Sequence, residues 1–386
     1  MDKLRIAIIG FGAMGQSHAR TILTEVPEAR LTAVVTTHAD AIANLRAMPG
    51  GEQVQVFPSA EALFASRAAD AVIISSVHRL HAGQAIAAFR AGLHVLLEKP
   101  VGVTTLEAAQ IEAEADRTGL TYAAMFNVRT YPIWKELRRI VSSGEMGELR
   151  RVSYIVTDWF RAQSYYDSAA WRATWKRDGG GVLFNQAPHS LDIFQWICGM
   201  PVRLRAFCGF GRWHDIEVED DVTCYIEYAN GATGTLVTTT GEAPGTNRME
   251  LALDGGRILA EDNQLTVTRL SRGCTDFIRN YPSGYGKPDA VTEVIRPEGT
   301  AEMHGGVIRA FAAHILHGTP LIADGREGMA SLQLACGMLL SAWTGETVTL
   351  PIDGARYAAL LEERAAKSPD KVAKPVVMDL SKSYQK

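Results

Sequence analysis

Apolar residues in the first 125 positions form short continuous runs separated by stretches with helical spacing. The runs predict strands and the spacing predicts helices, so this part should be a parallel, doubly wound Rossmann sheet of the α/β class. Thr104 to Glu107 matches a capping box and predicts the start of another helix. Strands are predicted at 4–9, 31–35, 71–75, 94–97 and 121–125, and helices at 39–48, 59–67 and 81–91.

Beyond residue 126 the pattern changes to longer segments of alternating polar and apolar residues. Such segments favour an α+β domain built on a large open, mainly antiparallel β-sheet, with C-terminal helices. Asn230-Gly231 and Asp254-Gly255 predict tight hairpins with a positive φ at each glycine. Asp353 is predicted to cap the last helix, and an extended or mobile arm is expected from Ser368 to Lys386. Strands are predicted at 148–159, 202–212, 218–228, 232–240, 248–253 and 265–270, and helices at 134–143, 307–316, 329–343 and 353–366.

Length and composition narrow the class of protein. The 386 residues suggest two domains, and a net charge of -4 gives no basic footprint, so we expect no nucleic-acid partner. The N-terminus has no apolar signal core and no apolar run could cross a bilayer, so we expect a cytoplasmic protein without a membrane partner. The five cysteines are scattered, which predicts free thiols and neither disulfides nor a metal site.

A glycine-rich turn, Gly10-Phe11-Gly12-Ala13-Met14-Gly15, lies between the first predicted strand and a helix. The first glycine allows a tight turn, the second lets the backbone approach a pyrophosphate, and the third lets the helix pack close to the strand. This context predicts a dinucleotide site at the helix N-terminus. We therefore predict an NAD(P)-binding Rossmann domain over residues 1–125 and a substrate-binding and oligomerisation domain over residues 126–386.

The segment after the second strand, Thr36-Thr37-His38, has no acidic residue where NAD enzymes usually place one against the ribose 2′-hydroxyl. A 2′-phosphate would not be repelled there, but no arginine is present to pair with it. We expect NAD(H) or NADP(H), leaning towards NADP(H), and an NAD site that uses the hydroxyls directly stays open. Residues expected at the cofactor are Gly10, Phe11, Gly12, Ala13, Met14, Gly15, Thr36, Thr37, His38, Ser75, His78, His81, Glu98 and Lys99.

Two further clusters are suited to acid–base chemistry. Glu98-Lys99-Pro100 follows a predicted strand, at the sheet edge where ligands bind in α/β folds, although an isolated lysine there is usually a solvated side chain. Three glycines, 179–181, supply an adaptable loop before a helical stretch that places Asn185, His189 and Asp192 near one face. A histidine flanked by a carboxamide and a carboxylate is arranged like an oriented acid–base, although a lone helical histidine is more often a core residue.

In these motifs together the chain resembles the glucose-fructose oxidoreductase, inositol dehydrogenase and MocA (Gfo/Idh/MocA) family over nearly its whole length. The resemblance implies hydride transfer to a nicotinamide, with Lys99 and His189 as the catalytic residues. Lys99 would orient the reacting hydroxyl, and His189 would take its proton. Family members commonly have an aspartate where this chain has Asn185. Because an asparagine cannot act as a base, we expect His189 alone to accept the hydroxyl proton.

An aromatic stretch at 159–175 suits a sugar pocket, although structural packing of the aromatic rings explains it equally well. With the run at 302–306, it resembles a branch of the family that oxidises the 3-hydroxyl of glucose or glucosides to a 3-keto sugar. An inositol or cyclic dihydrodiol dehydrogenase and a non-catalytic cofactor-sensing protein stay open. The open sheet predicts a homodimer or a dimer of dimers. Residues expected to bind the substrate are Asn185, Asp192, Arg161, Tyr165, Tyr166 and Arg172.

Overall fold

Contacts within the chain divide it into two units, of which the computed structural model describes residues 3–376. The first unit contains Met1–Ser143, Pro188–Gly199 and Arg296–Leu334, and the second contains Gly144–Ala187, Met200–Ile295 and Ala335–Lys386. The predicted division after residue 125 concerns separate roles and stays a prediction. By contacts alone, residues 126–143, 188–199 and 296–334 belong with the N-terminal sheet.

The first unit is built on a six-stranded sheet in which every pairing is parallel, with the order β3-β2-β1-β4-β5-β6. The strand order reverses between β1 and β4, and in such sheets ligands bind at the carboxyl ends of the strands at this point. The strands are β1 (Leu4–Ile9), β2 (Ala29–Val35), β3 (Gln55–Phe57), β4 (Ala71–Ile74), β5 (His94–Leu97) and β6 (Tyr122–Ala124).

The second unit is built on a nine-stranded sheet with the order β14-β13-β12-β11-β7-β10-β9-β8-β15. Its pairings are antiparallel except for β7 with β10. The strands are β7 (Leu149–Val156), β8 (Arg203–Phe210), β9 (Glu219–Glu227), β10 (Thr233–Thr239), β11 (Asn247–Leu253), β12 (Gly256–Glu261), β13 (Gln264–Leu270), β14 (Ala290–Ile295) and β15 (Val348–Thr349). The expected fold class, an α/β Rossmann part followed by an α+β part, is confirmed.

Thirteen α-helices lie within residues 3–376, and none of them is long and apolar enough to span a bilayer. The predicted capping box closes around Thr104, and Asp353 caps the last helix through the amide of Arg356. The helices are α1 (Ala13–Glu25), α2 (Ala39–Arg46), α3 (Ala60–Ser66), α4 (His81–Arg90), α5 (Thr105–Thr118), α6 (Pro132–Ser142), α7 (Gln163–Asp167), α8 (Val182–Asn185), α9 (Pro188–Cys198), α10 (Cys274–Asn280), α11 (Met303–His317), α12 (Gly328–Thr344) and α13 (Gly354–Lys367).

The core of the first unit joins the start of the chain to a late segment. Ile6 and Ile8 of β1 are fully buried together with Ile308 and Phe311 of α11. Helix α11 presents this face at helical spacing and covers the parallel sheet, so its first turn is held beside the N-terminal strands.

Several local predictions were wrong for identifiable reasons. The helical stretch expected through Asn185 and His189 is two helices, because α8 ends before Gln186 and α9 starts at Pro188. Gly231 has the predicted positive φ of 84°, but in the second hairpin the positive φ, 147°, lies at Gly256 and not at Gly255. Strands β3, β12, β14 and β15 were missed: β3 and β15 are short, and β14 is almost wholly exposed.

Part of the predicted C-terminal arm lies outside the described residues. From Ser368 to residue 376 the chain forms neither helix nor strand, and the amide of Lys374 donates a hydrogen bond to the carbonyl of Asp167. This part of the arm is thus held against the second unit.

Candidate active site

The glycine turn after β1 combines two close-packed positions with one open position. Gly10 has a φ of 89°, and a Cβ there would lie 2.5 Å from the amide nitrogen of Ser76. A Cβ on Gly15 would lie 2.2 Å from the carbonyl oxygen of Gly10. On Gly12 a Cβ would meet nothing within 4 Å, and no side chain caps α1, which begins there. Uncapped amides under an open surface fit the pyrophosphate of a dinucleotide.

Neighbouring residues support the turn. The Ser75 hydroxyl donates a hydrogen bond of 2.8 Å to the carbonyl oxygen of Gly10. Phe11 is buried, whereas Ala13 is exposed and Met14 is partly exposed. Ser75 and Phe11 therefore hold the backbone, and Ala13 and Met14 lie on the open side.

Two side chains are exposed in the segment between β2 and α2. Thr36 is buried, and its hydroxyl accepts a hydrogen bond of 3.2 Å from the amide of His38. Thr37 and the His38 ring are exposed, as is Asp40 in the first turn of α2. The groups free to meet a ribose or its phosphate are thus Thr37 and His38.

His81 joins the loops that follow β4 and β5. Its Nδ1 lies 2.8 Å from the carbonyl oxygen of Pro100, and its Nε2 lies 3.0 Å from that of Ser76. Burial and the neighbouring His78 lower the pKa of His81 to about 4. A neutral imidazole has one N–H, so His81 contacts both loops and donates a hydrogen bond to one of these carbonyls.

Glu98 and Lys99 lie at the carboxyl end of β5. One Glu98 oxygen, Oε1, lies 2.8 Å from Nε2 of His18, and the other accepts a hydrogen bond from the amide of Lys99. Burial alone would raise the pKa of Glu98, but the hydrogen bond from His18 and the nearby positive charges, including Lys99, hold that pKa below its usual range. The Glu98 carboxylate is therefore hydrogen-bonded to the backbone amide of Lys99.

His189 is the second residue of α9, in the first unit with Lys99. Its ring meets that of Phe126 edge to face at 6.3 Å, and within residues 3–376 its buried Nδ1 has no hydrogen-bond partner. Burial and the charge of Lys99 lower the pKa of His189 to about 3, against the opposing effect of Glu98. The imidazole is therefore neutral at physiological pH and able to accept a proton.

Asp192, expected to bind the substrate, has an internal partner. Its two carboxylate oxygens accept hydrogen bonds of 2.7 and 2.6 Å from Arg129, and both side chains are buried. The guanidinium also donates to Glu327. In place of a direct substrate contact we assign Asp192 a positioning role, since this bidentate pair anchors α9 one turn beyond His189.

The other predicted substrate residues lie in the second unit, around Tyr165. The Tyr165 hydroxyl donates to Asn185 Oδ1 at 3.0 Å and accepts from Arg172 at 2.8 Å. The guanidinium carbons of Arg161 and Arg172 lie 5.2 and 4.4 Å from the centre of the Tyr165 ring. Tyr166 differs, because it is buried and its hydroxyl bonds to that of Thr240 at 2.7 Å.

Sequence analysis missed three buried groups: His18, Arg129 and Glu219. Glu219 Oε1 accepts hydrogen bonds from the amides of Gly181 and Leu183, at 2.8 and 3.0 Å, and burial raises the pKa of Glu219 to about 8. A Cβ on Gly181 would lie 1.9 Å from the Glu219 carbonyl oxygen. Gly181 is therefore closely packed at the start of α8 and is not part of the adaptable loop expected. The inward positions of β9 are Asp220, Val222, Cys224 and Ile226, so the burial of Glu219 is out of phase with the alternation and periodicity carried no signal of it.

The features of the first unit define the class of protein. Its glycine turn fits a dinucleotide, and residues 4–126 match a family model described as an oxidoreductase family with an NAD-binding Rossmann fold. The protein is an NAD-binding oxidoreductase.

Its family follows from the rest of the chain. Residues 134–259 match the model of the GFO/IDH/MocA C-terminal domain, and the two models together match more than half of the sequence. The chain belongs to the Gfo/Idh/MocA family, as the sequence motifs predicted.

Individual relatives are similar at moderate identity. D-glucoside 3-dehydrogenase of Escherichia coli (strain K12) is 27% identical over 368 residues, which cover 90% of this chain and 97% of that protein. Inositol 2-dehydrogenase 2 of Saccharopolyspora erythraea is 31% identical over 201 residues, but this spans 52% of this chain and 55% of the relative. The WlbA dehydrogenase of Bordetella pertussis, solved with NADH and UDP-GlcNAcA, has a TM-score of 0.78 at 24% identity and covers 92% of this chain and 99% of its own, which supports the fold.

Proposed function

We propose that this protein oxidises a ring secondary alcohol of a sugar or glycoside, at C3, to a 3-keto sugar with NAD⁺ or NADP⁺ as the hydride acceptor. The observation that carries the proposal is that Lys99, at the carboxyl end of β5, and His189, whose buried Nδ1 has no hydrogen-bond partner among the described residues, lie in the unit that also holds the glycine turn. A neutral imidazole accepts a proton, and an ammonium group stabilises an oxygen that is losing one.

In this reaction the alcohol loses a proton from oxygen and a hydride from carbon. A bound nicotinamide supplies the hydride acceptor. His189 takes the hydroxyl proton, and Lys99 donates a hydrogen bond to the same oxygen. The low pKa keeps His189 in its proton-accepting form, and the negative charge that develops on the substrate oxygen favours protonation of the imidazole in the transition state.

The C3 position is supported by the relative that matches along most of the chain, named D-glucoside 3-dehydrogenase. An inositol is the second candidate, because a relative of that name reaches 31% identity over about half of both chains. The same pair of side chains would serve any ring carbinol, a cyclic dihydrodiol included. A protein that only senses the cofactor would need neither Lys99 nor His189.

For the substrate we propose contacts from the Tyr165 cluster, defined as Arg161, Tyr165, Arg172 and Asn185. Hydroxyl, amide and guanidinium groups suit a polyol, and the exposed parts of aromatic rings suit the apolar face of a sugar. Tyr166 is left out, since its hydroxyl is used by Thr240.

For the cofactor we propose that NADP(H) is used at least as well as NAD(H), because the segment 36–38 directly after β2 carries no acid and the exposed Thr37 and His38 offer donors to a 2′-phosphate. Thr37→Asp should shift the ratio of kcat/KM values towards NAD⁺ by repelling that phosphate, and Thr37→Ser should not. An unchanged ratio in Thr37→Asp would remove Thr37 from this role.

We also propose a homodimer or a dimer of dimers that uses the outer face of the nine-stranded sheet. Phe207 and Tyr225 are 65% and 44% exposed on neighbouring strands of that face. Phe207→Asp should lower the mass measured by analytical ultracentrifugation, and a protein already monomeric before substitution would contradict the proposal.

The test of the function is a substrate screen on the purified protein. Glucosides, inositols and cyclic dihydrodiols are offered with NAD⁺ or NADP⁺, reduced nicotinamide is followed by absorbance, and products are identified by NMR. We expect turnover of a glucoside to its 3-ketone. Cofactor binding without turnover on any ring alcohol would contradict the proposal.

A further inference from the structure

A buried imidazole lies behind the proposed catalytic lysine and has no role in the reaction described so far. His18 is fully buried on α1, one turn after Gly15, and its Nε2 meets Glu98 Oε1 at 2.8 Å. A carboxylate can only accept, so Nε2 carries the hydrogen and donates. The pair connects the helix that starts at the glycine turn to the strand end that carries Lys99.

The charged and titratable groups around Glu98 come from five segments of the first unit. His18 belongs to α1, His81 to α4, His189 to α9 and His304 to α11, and Lys99 follows Glu98 in the chain. The His18 and His304 rings meet edge to face at 5.2 Å. The negative charge of Glu98 raises the pKa of His189, whereas the positive charge of Lys99 lowers it.

We propose that His18 is a positioning residue. Its hydrogen bond keeps Glu98 ionised beside Lys99, and the negative charge of Glu98 acts on Lys99 and His189 during the proton transfer. The inference rests on the proposed function. Without the hydrogen bond from His18, burial would favour the neutral acid of Glu98, and Lys99 would lose its counter-charge. His189 would then become a weaker base.

The hydrogen-bond donor can be removed or retained by substitution. His18→Leu removes it at similar size, and His18→Gln retains an N–H close to the position of Nε2. We expect His18→Leu to lower kcat by about 10- to 100-fold, by analogy with outer-shell residues that orient the ligands of metal sites. His18→Gln should recover most of the loss.

The pH profile separates positioning from mere structural support. In His18→Leu the pKa of Glu98 rises, so kcat should fall as the pH is lowered through the raised value. The double variant His18→Leu/Glu98→Gln has no carboxyl to protonate and should lack this acid limb. A limb that persists in the double variant, or an unchanged profile in His18→Leu, would overturn the proposal.

A control and a second measurement keep the outcomes distinct. His94→Leu removes a partly buried ring at the opposite end of β5, where Nδ1 accepts from the amide of Thr121, and should leave the pH profile unchanged.

Without substrate or cofactor, proton NMR should show a downfield imidazole N–H signal that is absent in His18→Leu and weakened in Glu98→Gln. If that signal is present but His189→Ala retains full activity, the proposed function fails while the pair stands. Absence of the signal in the unaltered protein would contradict the pair itself.

Discussion

The end of β5 and the Tyr165 cluster are both polar, but they are organised in different ways. Around Lys99 and Glu98, buried groups shift one another's pKa values, and His189 is held neutral. Around Tyr165, the groups share hydrogen bonds and ring contacts, and the acid that accepts a hydrogen bond from Asn185, Asp178, is buried. The first arrangement is suited to moving a proton and the second to holding a polyol. Substitutions in the first should therefore change kcat, and those in the second should change KM.

The largest effect is expected from His189→Ala. Loss of the proton acceptor should lower kcat by about 10²- to 10⁴-fold, the usual contribution of a general base. Cofactor affinity, measured by fluorescence titration, should be nearly unchanged, and His317→Ala, an exposed residue of the last turn of α11, is the control. Full retention of activity would remove His189 from the mechanism.

Lys99→Met should lower kcat by about 10²-fold, comparable to the loss of one donor to a developing oxyanion. It should also raise the pKa of His189, because the charge of Lys99 is one of the causes that lower it. Since His189 acts in its neutral form, the acid limb of kcat/KM should move to higher pH. Lys135→Met, an exposed lysine of α6, should change neither quantity. An acid limb at unchanged or lower pH would contradict the coupling.

Arg172→Leu tests the other side of the comparison. We expect KM for the sugar to rise by about 10-fold, as for loss of a charged hydrogen bond, with a smaller change in kcat. The opposite split, a fall in kcat at constant KM, would place Arg172 with the proton-transfer groups.

Tyr166→Phe should have the smallest effect. Its hydroxyl bonds internally to Thr240, so we expect a loss of about 1 kcal/mol in unfolding free energy, measured by urea denaturation. KM should stay constant, whereas Tyr165→Phe should raise it. A rise in KM for Tyr166→Phe would return this residue to the substrate site.

Local motifs made part of this picture predictable from the sequence. Period and turn signals predicted the parallel sheet and the glycine turn, because these depend on neighbours in the chain. The outer strands escaped prediction where packing gives no periodicity, as in the exposed β14. The start of α8 depends on Glu219, whose Oε1 accepts hydrogen bonds from the amides of Gly181 and Leu183, 38 and 36 positions away in the chain.

The candidate site divides in the same way. Lys99 and His189 were accessible through motifs, but their electrostatic setting was not. The pairing of His18 with Glu98 spans 80 positions, and that of Arg129 with Asp192 spans 63. Such partners cannot be derived from spacing, and they determine which carboxylates are available: the oxygens of Asp192 are occupied by Arg129, and Glu98 stays ionised.

Transfer of isotope from the substrate tests the central claim most directly. A glucoside deuterated at C3 is incubated with the protein and oxidised cofactor, and the reduced nicotinamide is examined by mass spectrometry and NMR. The account predicts deuterium at C4 of the nicotinamide and a 3-keto product. Deuterium retained in the sugar while the nicotinamide is reduced without label would contradict it.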